Sequence, residues 1–178
     1  MENTVYYTYS TISQTIAAMV ALLGVFSIYL LQSLNNKFMG LSQNYLDTLI
    51  KMEKEDFMKM SSNPHRELSN HVVFKNFTGI LSVTDKVFKI YGDTFSELEN
   101  LRKSIILVFN NKQEIVQKSV HITLISLLII AASIGTLSFA SNMGVMSYWI
   151  IFIPFFILIL YLLYRVFNLI KFSLTSDI

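Results

Sequence analysis

Three stretches of this chain are long and apolar enough to cross a bilayer, and nothing else in the sequence constrains the fold as strongly. A helix needs about 20 mostly apolar residues to span the hydrocarbon core. The first stretch runs from Ile12 to Leu34, the second from Val120 to Ala140 and the third from Ser147 to Val166. None holds an Asp, Glu, Lys or Arg before Arg165, at the end of the third. The composition agrees. Hydrophobic residues make up 53% of the 178 and charged residues 15%, against about 25% charged in an ordinary soluble domain. The segment before the first stretch, MENTVYYTYS, has no positive charge, and the apolar run is too long for a signal peptide. It is expected to be an uncleaved span. Tyr6, Tyr7 and Tyr9 before the first stretch suit an interfacial aromatic belt. So do Tyr148 and Trp149 before the third, and Tyr161 and Tyr164 near its end.

Basic residues set the expected orientation. Twelve of the fourteen Lys and Arg lie between Lys37 and Lys118, and the other two are Arg165 and Lys171. The N-terminal tail and the connection SNMGVMS have none. Positive residues stay cytoplasmic, so residues 35–119 and the C-terminus are expected inside and the N-terminus outside. Three spans require the two ends on opposite sides, and the charges agree. The expected organisation is an outside tail and first span over 1–34, a helical cytoplasmic region over 35–119, and the second and third spans with a short tail over 120–178. In a bacterial cell this is a multi-pass protein of the inner membrane.

The middle of the chain reads as helix. Leu34, Phe38, Leu41, Tyr45, Leu49 and Met52 recur in steps of three and four, so the first span is expected to continue as one helix towards Met60. Asn63 is a good N-cap and Pro64 fits a first helical position. Leu68, Val72 and Lys75 then share a stripe. A further helix is expected over Ile80–Tyr91, with Ile80, Val83, Val87 and Tyr91 on one side and Gly92 as its stop. Thr94 and Glu97 fit a capping box. Phe95, Leu98, Leu101, Ile105 and Val108 follow on one stripe, and Asn110-Asn111 is a point for a kink before the second span. No strand alternation, internal repeat or low-complexity tract is visible. About 85 residues in four helical pieces make a small core, which neighbouring copies of the chain would enlarge. The fold class expected is all-α: a multi-pass helical membrane protein that assembles as a homo-oligomer.

The first span has a face of small and polar residues, Ser10, Gln14, Ala17, Ala21 and Gly24, opposite Ile12, Ile16, Met19, Leu23, Phe26 and Leu30. The second has Ser119, Thr123, Ser126, Ser133 and Ala140 on one stripe. Such stripes either pack helices closely or face water. The third span is nearly uniform Ile, Leu and Phe with Pro154 inside, and reads as the lipid-facing member. Three helices cannot enclose a water-filled channel, so a pore requires a ring of subunits with the long first helix as its lining. With no ring of charges, such an opening would be weakly selective or hydrophobically gated.

Arg66 and His71 are the remaining chemical signal. Histidine suits proton transfer and arginine suits a phosphate, which is the requirement of metal-free RNA cleavage. One pair is half a site, so two subunits would have to meet. A solvated helix start, with Arg66 and Glu67 outward and His71 partly packed, accounts for the same residues. His65 reads as a turn residue and His121 as an interfacial one. There is no cysteine, which removes disulfides, thiolate zinc sites and cysteine nucleophiles. No phosphate loop, catalytic triad, paired catalytic carboxylates or zinc motif is visible, so neither a metal nor a cofactor is expected.

The N-terminal hydrophobic helix, the helical cytoplasmic region and RELSNH (Arg66 to His71) together resemble the small membrane accessory proteins of type VI-B CRISPR systems, which carry a divergent HEPN motif of Arg, four to six residues, His. The resemblance implies an α-helical oligomer forming a membrane pore, engaged when an RNA-guided ribonuclease detects phage transcripts, and depolarising the cell. Its partners would be the bilayer, further copies of itself, and the ribonuclease or its RNA products. Glu67 follows Arg66 where HEPN nucleases usually carry Asn, Asp or His. A carboxylate there pairs with Arg66 or repels RNA phosphate, so Arg66 and His71 are expected to hold subunits together or gate the assembly. A membrane-tethered HEPN-like ribonuclease and a non-enzymatic membrane scaffold are the alternative readings.

Overall fold

A computed structural model describes residues 2–54, 64–91, 96–139 and 145–175. Every described element is an α-helix: α1 (Glu2–Lys54), α2 (Pro64–Val73), α3 (Phe77–Tyr91), α4 (Ser96–Leu137) and α5 (Val145–Thr175). Three of them, α1, α4 and α5, are long and apolar enough to cross a membrane. The chain divides into two compact units, residues 1–31 with 114–178, and residues 32–113.

In the first unit the buried positions of each long helix recur every seven residues. On α4 these are Ile115, Ile122, Ile129 and Thr136, interleaved with Ser126 and Ser133. On α5 they are Phe155, Leu162 and Leu169. Tyr9 and Ile16 of α1 follow the same interval. A repeat of 3.5 residues is the seam of knobs-into-holes packing, which keeps one stripe facing its neighbours. The Tyr9 ring meets Tyr148 and Phe155 edge-on, with centroids 6.3 and 5.4 Å away, which joins α1 to α5. Ser27 and Ser119 share a hydrogen bond of 2.9 Å between α1 and α4. Along its apolar stretch α5 has 11% of its residues buried, against 28% for α4. It is the span with the most surface to offer lipid, as its uniform composition suggests.

The second unit has its own core. Leu34, Phe38, Tyr45 and Leu49 of α1 are fully buried with Leu68 of α2, Ile80, Val83 and Val87 of α3, and Ile105 of α4. The Phe38 ring lies 4.8 Å from Phe77 and 6.3 Å from Phe109 between centroids. Lys112 places its ammonium 3.7 Å from the centre of the Phe77 ring, and burial pushes its pKa down. Arg102 donates to Asp85 from Nε at 2.9 Å and pairs with it from Nη2 at 2.8 Å. Its guanidinium lies over the Phe88 ring at 4.2 Å. Burial raises the Tyr45 hydroxyl pKa well above its ordinary value; the Arg102 charge opposes that rise and Asp85 adds to it.

Several boundaries differ from the pattern of the sequence. α1 is described to Lys54, and Asn63, Gly92 and Thr94 lie outside the described residues. Pro64 is the first residue of α2 and is buried. α3 starts at Phe77, ahead of the Ile80 that periodicity indicates. Lys75 does not share the Leu68 stripe: it is left-handed, with φ of 51°, and stands between the two helices. α4 runs unbroken through Asn110-Asn111, and α5 runs through Pro154.

Candidate functional site

The helical corner that carries the arginine–histidine pair is built by two interlocked caps. α2 ends with the Asn76 N–H donating to the His71 carbonyl at 2.8 Å and the Lys75 N–H to the Val72 carbonyl at 3.1 Å. This is a Schellman arrangement with Lys75 in the position that normally favours glycine. Asn76 then caps α3. Its Oδ1 accepts the Gly79 N–H at 3.1 Å and the Thr78 hydroxyl at 3.0 Å, as an N-cap side chain does for orphan donors.

His71 is locked into this corner. With Oδ1 of Asn76 committed as an acceptor, its amide nitrogen faces Nδ1 of His71 at 3.2 Å. The amide can only donate, so Nδ1 accepts and the ring proton sits on Nε2. The ring also rests on Gly79. A Cβ at that position would stand 2.5 Å from Nδ1 and 2.6 Å from Cγ. Glycine is there because the imidazole occupies the space of a side chain.

Arg66 and His71 share α2 but not a face. Arg66 is exposed and His71 half-buried against α3. Glu67 pairs with Lys86 of α3 at 2.8 Å, so its carboxylate goes to α3 rather than to Arg66. His65 is half-buried in the first turn of α2, and His121 is exposed on α4. Within one chain the pair therefore offers one solvent-facing cation and one Nε2–H. Periodicity did not reveal Asn76 and Gly79, because Lys75 and Asn76 interrupt the apolar residues Val73, Phe74 and Phe77 for only two positions, a gap that a continuing amphipathic helix also shows. An asparagine three residues before a glycine was the available signal.

The two small-residue stripes have different fates. On α4, Ser126 and Ser133 are fully buried, and their hydroxyls donate back to the carbonyls of Ile122 and Ile129 at 2.8 Å. Those two serines are helix packing; on the same stripe Ser119 is half-buried and Thr123 exposed, and Ala140 lies outside the described residues. On α1, Gln14, Ala17, Ala21 and Gly24 are exposed and Ser10 is half-exposed. Gln14 reaches Ser10 Oγ at 3.4 Å, and a Cβ added to Gly24 would meet nothing within 4 Å. The opposite face of α1 is turned inward, with Ile16 and Leu30 buried. The stripe ends beside a crevice of about 60 Å³ lined by Gly24, Ser27, Ser119 and Thr123.

No family model, curated protein or solved structure matches the chain.

Proposed function

We propose that this chain is one subunit of a homo-oligomeric pore in the bacterial inner membrane, which perturbs or depolarises the cell as an antiviral effector linked to an RNA-guided ribonuclease. The observation that carries the reading is the state of the α1 stripe. Gln14, Ala17, Ala21 and Gly24 stay exposed, while Ser126 and Ser133 of the comparable stripe on α4 are buried by packing. Small and polar side chains on a membrane helix are placed to face protein or water rather than lipid. In a ring of copies this face turns to the shared axis. Residues 35–119 then stand in the cytoplasm, where the ribonuclease or its RNA products would act on them. Arg66, exposed beside a corner held by His71, contacts a neighbouring copy or gates the assembly; His71 positions that corner and does no chemistry.

The purified chain should release dye from loaded vesicles above a threshold protein density. Ala21→Leu, which places a bulky group on the exposed stripe, should abolish release while leaving the thermal midpoint within about 0.5 kcal/mol of stability, as surface changes do. Vesicles that stay intact at every protein density, with single chains in the bilayer, overturn the pore and leave a membrane scaffold.

A further inference from the structure

The start of the second apolar stretch and the end of the third meet at a basic pocket. Lys118, Arg165, Asn168, Lys171 and Phe172 line a space of about 310 Å³, at the lower end of the about 300–1,000 Å³ of small-ligand sites. Three of its five lining residues are cationic, one is an amide, and none is a carboxylate. Glu114 pairs with Lys118 at 2.7 Å. Lys118 also lies over the Phe172 ring, 3.8 Å from its centre. These contacts fix one cation from α4 against α5.

The surface leading into the pocket is apolar. On α5, Ile150, Ile153, Ile157, Tyr161 and Tyr164 are spaced by three or four residues and are all exposed, between 43% and 66%. The same helical row continues into Asn168 and Lys171. Residues at such steps share one face of a helix. One row thus passes from an isoleucine strip, through two tyrosines, into a basic cleft, at the end of a span where headgroups lie. The order matches an anionic lipid: acyl chains, glycerol level, phosphate.

We infer that Lys118, Arg165, Asn168 and Lys171 form a binding site for the phosphodiester headgroup of an anionic phospholipid, with its acyl chains along the nearer part of the exposed α5 row, past Tyr164 and Tyr161 to Ile157. Basic pockets between membrane helices hold such headgroups by charge and hydrogen bonds. Arginine grips phosphate with a planar fork, and Lys171 and Asn168 supply further donors. The inference needs α4 and α5 to span the membrane; it stands whether or not the chain forms a pore.

The test uses the full chain in a neutral maltoside detergent, with the thermal midpoint followed as phosphatidylglycerol or phosphatidylcholine is titrated into the micelles. Phosphatidylglycerol should raise the midpoint saturably and phosphatidylcholine should not. Arg165→Gln with Lys171→Gln should weaken the apparent affinity roughly thirty-fold, the effect of two juxtamembrane cations. Lys86→Gln with Lys89→Gln, cations of the other unit, should change it less than about two-fold. Asn168→Leu keeps every charge and obstructs the cleft, so it reads the site even where the double variant does not fold, and it too should weaken binding. An equal response to phosphatidylglycerol in every variant, or no response in the wild type, overturns the site. A shift of the same size from inorganic phosphate assigns the cleft to a soluble anion and overturns the lipid.

Discussion

Lys75 holds a left-handed backbone, φ 51°, which costs a residue with a Cβ about 1–2 kcal/mol. Glycine avoids that cost and is the usual occupant of the position. Lys75→Gly should therefore stabilise the detergent-solubilised chain by about 0.5–1 kcal/mol, read as a higher denaturation midpoint; a lower midpoint would contradict the capping geometry. Gly79 is the converse case. Gly79→Ala drives a methyl into the His71 ring and should cost about 1–3 kcal/mol, the range for overpacking. The His71 imidazole resonances should also shift as the Asn76 bond breaks. Unchanged resonances would mean the ring is not seated there. The sequence shows the residue types at this corner but not their partnership. Arg66 and His71 can be picked out by chemistry. That His71 is committed to Asn76 and Gly79 depends on a turn at Lys75 and Asn76, two polar residues between apolar ones, which a continuing helix would show equally.

At the scale of elements, the three long helices were legible because uncharged apolar length is a direct demand of the bilayer. Inward and outward faces were less so. Both α1 and α4 carry stripes of small residues, and spacing alone does not separate a packed stripe from an open one. Burial does. Ser126 and Ser133 have no exposed surface, whereas Ala17 and Ala21 are exposed. The two stripes should respond oppositely to added bulk. Ser133→Leu should lower the stability of the chain by about 1–3 kcal/mol through overpacking, visible as a depressed thermal midpoint. Ala17→Leu should leave the midpoint nearly unchanged and instead reduce the oligomer mass in detergent. A reversed pattern would assign the α1 stripe to packing within one chain and remove the main support for a ring. The heptad spacing of Ile115, Ile122, Ile129 and Thr136 was present in the sequence as well. It does not settle the direction of the serines beside it, because small hydroxyl residues fit both close packing and a water-facing stripe.

For the molecule as a whole, charge asymmetry is the basis of the orientation proposed for the chain. Basic residues flanking a span resist translocation, and twelve of fourteen lie between Lys37 and Lys118. The basic cleft of Lys118, Arg165 and Lys171 would then face the leaflet where anionic headgroups attract cations. Three crossings, as proposed, would put the N-terminal tail on the other side. The absence of cysteine makes this directly measurable, since a single introduced thiol reports without background. In spheroplasts an impermeant maleimide should label Asn3→Cys and spare Lys89→Cys, and in inside-out vesicles the two should exchange. Lys89→Cys labelled from outside would invert the topology and move the proposed headgroup site to the opposite leaflet. Labelling of both positions from one side would remove one span from the count, and with it the premise that α1, α4 and α5 all cross.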